Sequence, residues 1–92
     1  MERISKVYFT TIAARLDKGT NANVGMRGLR TLICGWNNKR ERHGFGRINF
    51  ARRVADENEW RKLHGFPPEY EQFMYSDELE LFSRYAGYDL TH

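Results

Sequence analysis

Ninety-two residues that are 40% apolar and 14% aromatic make a chain too hydrophobic to stay disordered at a net charge of +3. They suffice for one domain (1–92) with a small core. A single cysteine, Cys34, excludes an intramolecular disulfide, and no apolar run approaches the roughly 18 residues that cross a bilayer. The run Val7–Ala14 is too short and polar for a signal peptide, so the expectation is a cytoplasmic protein with no membrane association.

The elements read as follows in chain order. Ile4, Val7, Tyr8, Thr11, Ile12 and Leu16 stand at helical spacing, and Ala13 and Ala14 favour a helix from Ile4 to Lys18. The β-branched and aromatic run Val7–Ile12 leaves a strand as the alternative. After a polar loop at 19–23, Met26, Leu29, Leu32, Ile33 and Trp36 define one face of a second helix reaching Arg42. Residues 43–46 form a turn. Arg47–Ala55 reads as a short helix. Asp56 and Glu59, spaced as a capping box, then start a fresh one that ends at Gly65 with Trp60 and Leu63 facing inward. Two short helices around Asp56 have the outline of a helix-turn-helix without its turn glycine. Phe66-Pro67-Pro68 is an extended break, and 69–75 is loop or a helical turn. A last helix starts at Ser76 and carries Leu79, Phe82 and Ala86 as its stripe, with Leu81 and Tyr85 beside it.

Basic residues precede Gly19, Gly44, Gly65 and Gly87, which is how helices end: cations meet the negative pole of the dipole and glycine takes the left-handed conformation. The fold class expected is therefore mainly α, a compact single domain of four to five short helices with an N-terminal segment that is helix or strand. Its core is expected from Leu29, Leu32, Ile33, Trp36, Ile48, Val54, Trp60, Leu63, Leu79, Phe82 and Tyr85. The chain is expected to hold no internal repeat and no low-complexity tract.

Charge carries the functional signal. Residues 1–26 sum to +2, residues 27–53 to +7 with seven arginines, one lysine and one acid, and residues 54–92 to −6. A guanidinium-rich segment of this kind suits phosphate. Arg30, Lys39, Arg40, Arg42, Arg47, Arg52 and Arg53 are the expected contacts to DNA or RNA. Asn37, Asn38 and Asn49 lie among them as polar readers, and Trp36, Phe45 and Phe50 as rings that stack on unpaired bases. The competing readings are that the rings are core, that the acidic C-terminal third neutralises the cations internally, or that the basic segment meets an acidic protein.

In the acidic third, Tyr70, Phe73, Met74 and Tyr75 among carboxylates read as core rings under a solvated surface. A protein interface or a self-association surface is the alternative. Cys34, His43, His64 and His92 lack metal-ligand spacing, and His43 and His64 suit helix C-termini. Cys34, between Ile33 and Gly35, reads as a small buried residue rather than a nucleophile. No catalytic set and no cofactor motif emerges. The expectation is a non-enzymatic regulator or accessory protein that binds nucleic acid. The alternative is a protein-binding module or inhibitor that covers a partner's surface.

Overall fold

Two strand–helix units clasp each other at the base of the fold. In the computed structural model, which describes residues 4–92, β1 (Lys6–Tyr8) runs directly into α1 (Phe9–Thr20), and β2 (Phe73–Tyr75) runs directly into α4 (Ser76–Ala86). The strands pair antiparallel with Lys6 opposite Tyr75, Val7 opposite Met74 and Tyr8 opposite Phe73. The ladder continues into both helix starts, where the Phe9 N–H donates to Gln72 O and the Ser76 N–H to Ser5 O. Both expectations for the first segment hold in part. Lys6–Tyr8 is a strand, but Thr10, Thr11 and Ile12, most of the β-branched run, lie in the helix, where Phe9, Ile12, Ala13 and Leu16 bury one stripe.

Between these units stand α2 (Gly25–Arg42) and α3 (Phe50–His64). The fold is mainly helical, as expected. Leu29, Ile33 and Trp36 of α2 meet the α1 stripe, and Leu79 and Phe82 of α4 close the core, with Phe50, Met74 and Leu90 at its ends. Leu90 is buried because the C-terminal residues fold back: its N–H bonds to Ser83 Oγ and its carbonyl accepts from Arg15. Gly35 lies where the Tyr85 hydroxyl crosses α2, so a Cβ there would sit 2.5 Å from that oxygen.

The segment around Asp56 departs from its reading. There is no break, and α3 is one continuous helix capped by Asn49, whose side chain accepts the Arg52 N–H. Asp56 and Glu59, the acids spaced as a capping box, stay exposed on the helix, and it is their neighbours that make tertiary contacts. Glu57 meets Lys6 and Arg61, and Asn58 bonds the Glu69 peptide. Leu63, expected in the core, is 84% exposed, because α3 buries only Phe50 and Glu57 and its far half projects past the core. Cys34 is exposed rather than buried, since one step from Ile33 turns it about 100° around α2. Gly19 does not end α1; Asn21 takes the left-handed position one residue past Thr20.

An internal repeat does exist. Asn37-x-x-Arg40-x-x-His43-Gly44-Phe45 recurs twenty-one residues later as Asn58-x-x-Arg61-x-x-His64-Gly65-Phe66. Each copy ends a helix in the same way. Gly44 and Gly65 are left-handed, at φ 81° and 74°. The Phe45 N–H reaches back to Arg40 O at 2.8 Å, and the Phe66 N–H to Arg61 O at 2.9 Å, which are the six-to-one bonds of a Schellman turn. The asparagine then grips the returning chain. Asn37 donates to Ile48 O (3.2 Å) and accepts from its N–H (3.0 Å), while Asn58 does the same to Glu69 at 2.8 and 2.5 Å. Each arginine also donates to the carbonyl after its phenylalanine: Arg40 to Gly46 and Arg61 to Pro67. A side-chain amide satisfies both polar groups of a peptide that no strand pairs.

Candidate nucleic-acid interface

The asparagines of the basic segment are structural before they are anything else. Asn37 is buried on the Ile48 peptide, Asn49 caps α3, and Asn38 accepts from Arg47 at 2.8 Å. With these anchors, the turn over residues 43–49 crosses from α2 to α3 and sets the cations of both helices around it. Of the three rings expected to stack on bases, Trp36 and Phe50 are core. Only Phe45 stands open, 66% exposed at the tip of the first turn.

The seven expected phosphate contacts separate into groups. Arg30 lines a cleft of about 540 Å³ and Arg52 one of about 670 Å³, and the two clefts share Arg47, Ile48 and Asn49. Arg30 and Arg52 are exposed, and their side chains have no hydrogen-bond or ion-pair partner among the described residues. Arg47 faces Glu41 loosely, at 3.7 Å with both side chains about half exposed, which is worth little in water. Lys39 and Arg40 lie on the other flank of α2, toward α4. Lys39 stands over the Tyr85 ring, and Arg40 over Trp36 and Phe45. Arg42 ends α2 on its outward side and is exposed. The cations therefore form a belt around the end of α2 and the start of α3, not one flat patch.

Arg53 leaves the expected set. It makes a bidentate ion pair with Glu78 and is sandwiched by Phe50 (5.1 Å) and Tyr75 (4.9 Å), so its charge is neutralised by the acidic third. Glu78 also accepts the Tyr75 N–H, and so the same carboxylate that starts α4 ties it to α3. The clefts are not free of acids. Glu57 and Asp56 line the larger one, Glu57 already engaged with Lys6 and Arg61 and Asp56 exposed.

The acidic third behaves mostly as core and latch. Phe73 and Met74 are fully buried. Glu69 is buried at the second turn, where its carboxylate accepts from Tyr8 (2.6 Å), Arg61 and the N–H groups of Tyr70 and Glu71. Burial pushes the Glu69 carboxyl up, but the hydrogen bonds from Tyr8 and the two backbone N–H groups, with the Arg61 guanidinium, hold it below its ordinary value. The bond to Glu69 pushes the Tyr8 phenol up, aided by burial and the carboxylate charge. Tyr70, unlike its neighbours, is exposed.

Among the described residues, no group of three or more His, Cys, Asp or Glu is placed to hold a metal ion, and no helix is long and apolar enough to cross a membrane. Comparison with protein-family models, curated proteins and solved structures returned no match.

Proposed function

We propose that this chain is a small non-enzymatic nucleic-acid-binding protein, a regulator or accessory factor, that meets the phosphate backbone through Arg30, Arg47 and Arg52 with Lys39, Arg40 and Arg42 beside them. One observation carries the reading. Arg30 and Arg52, from two different helices, line two clefts that share Arg47, Ile48 and Asn49, and no carboxylate claims their exposed guanidinium groups among the described residues. A fold that neutralises Arg53 and Arg61 with buried carboxylates but leaves these uncompensated holds a positive field that polyanions answer.

A salt titration tests it. With about six phosphates neutralised, log affinity for duplex DNA falls against log salt with a slope near −5. The Arg47→Ala, Arg52→Ala double variant weakens binding to every sequence and flattens that slope by about 2. Absence of binding to duplex, single-stranded DNA and RNA at low salt would remove the proposal.

A second reading rests on the far end of α3. Leu63 on the last turn of α3 and Phe66 just past its end are exposed, where the helix covers little core. That apolar tip favours a protein-binding module, which predicts that Leu63→Asp abolishes partner capture in nuclease-treated extracts.

A further inference from the structure

The two copies of the Asn-x-x-Arg-x-x-His-Gly-Phe turn share a backbone and differ in what surrounds the arginine and the phenylalanine. In the second copy the arginine is neutralised internally and the phenylalanine, though 55% exposed, has a stacking partner. Arg61 lies between the buried carboxylates of Glu57 and Glu69. Phe66 stacks on Trp60 at 5.6 Å and 13°, and His64 stacks on the same indole at 4.0 Å and 15°. The first copy is left unfinished. Arg40 has no carboxylate partner among the described residues, and no ring stacks on Phe45; only the Arg40 guanidinium approaches it, at 5.8 Å.

An open cleft of about 440 Å³ lies at this first turn, between the end of α2 and α4. That volume falls within the roughly 300–1,000 Å³ of small-molecule sites. Its walls are the Trp36, Phe45 and Tyr85 rings, with Lys39, Arg40 and Arg84 as the cations, and among the described residues no carboxylate lines it. Among the described residues Arg84 is tied only to Glu80, 3.4 Å away in an exposed pair that water screens. Planar apolar walls with a cationic rim match a ligand that is flat and aromatic at one end and anionic at the other. A nucleotide has that form, and base stacking on such rings tolerates every base because each presents a π-face.

We infer that this cleft takes one unpaired nucleotide, the base against Phe45 and the phosphate among Lys39, Arg40 and Arg84. The inference rests on the proposed nucleic-acid function and adds to it a preference for single-stranded segments, separate from the phosphate contacts at Arg47 and Arg52. Trp36 lines the cleft and is one of only two tryptophans, so in a Trp60→Phe background it alone reports occupancy.

Titration of that protein with a short oligothymidylate is expected to shift Trp36 fluorescence. Phe45→Ala is expected to weaken single-strand binding by at least about fivefold, the loss of one stacked base, with duplex affinity changed by less than about twofold. Phe45→Tyr, which keeps a ring, restores binding, and Phe66→Ala in the second turn leaves it unchanged. Because Phe45 is exposed, an unaltered thermal melt accompanies the loss. Duplex binding with no Trp36 response, or with equal single-strand affinity in Phe45→Ala, overturns the inference while leaving the phosphate contacts standing. Absence of binding to any nucleic acid overturns both. Occupancy of the cleft by a Glu- and Phe-rich peptide but not by the single strand assigns it to a protein partner and overturns it equally.

Discussion

The first and second His-Gly-Phe turns begin with the same local chemistry and end in different roles. Both stop a helix with a left-handed glycine, both return the phenylalanine N–H to an arginine carbonyl, and both fasten the outgoing chain with an asparagine amide. The second turn then meets β1, and Lys6 and Tyr8 of that strand complete a buried network with Glu57, Arg61 and Glu69. At the first turn, among the described residues, the arginine has no carboxylate partner and the ring no stacking partner. A repeated motif therefore determines a shape. The neighbours supplied by the fold decide whether that shape is a latch or an open site.

Removing the arginine from each copy should separate them most widely. Arg61→Ala leaves Glu57 and Glu69 buried with less compensation. It is expected to cost toward the lower end of the about 3–5 kcal/mol for breaking a buried pair, since Lys6 stays 3.0 Å from Glu57. Arg40→Ala loses one exposed hydrogen bond and ring contacts, about 1 kcal/mol or less, and its effect appears instead in nucleic-acid affinity. Chemical denaturation of both variants measures the gap; equal losses would erase the distinction.

The asparagine clamps are the shared part, so they should respond alike. Asn37→Ala and Asn58→Ala each strand a peptide's donor and acceptor and are each expected to cost about 1–3 kcal/mol. A large cost in only one copy would mean that the other turn holds itself without its clamp.

Acidity and alkalinity should act on the second turn through Tyr8 and Glu69. The Glu69 carboxyl is lowered in the fold, so its contribution is complete above its ordinary value of 4.5 and is lost as pH falls through the lower folded value. The Tyr8 phenol is raised, so its contribution is complete below 10.0 and is lost as pH rises through the higher folded value. Thermal melts across pH should weaken at both ends, and Tyr8→Phe should flatten the alkaline side. An alkaline limb unchanged in Tyr8→Phe would count against this assignment.

The smallest expected effect concerns the clefts lined by Arg30, Arg47 and Arg52. Asp56→Asn removes an exposed acid from the larger one and should tighten duplex binding by less than about threefold at low salt, fading as salt rises. Weaker binding would mean that Asp56 helps to place Arg52.

Much of the fold was legible from spacing. The apolar stripes of α2 and α4 are long and regular, and Gly65 and Gly87 mark helix ends as expected. The repeat was legible too, by laying the chain against itself at an offset of twenty-one, but it is polar and escapes a search for hydrophobic periods. The false break at Asp56 came from acids that look like caps when read locally. Asp56 and Glu59 stay exposed within one helix, and what holds that helix is their neighbours Glu57 and Asn58, whose partners Lys6 and the Glu69 backbone lie outside the local pattern.

By itself the sequence determined what acts within a few residues: helix periodicity, caps and glycine stops, and the concentration of positive charge between residues 27 and 53. Tertiary structure alone decided which charges survive. Arg53 is quenched by Glu78, twenty-five residues on, while Arg30 and Arg52 stay exposed. It also decided that Leu63 and Cys34 face outward and that Leu90 is buried. Helix propensity and capping are short-range energies, whereas ion pairing and burial depend on which distant surface arrives, and no local pattern encodes that.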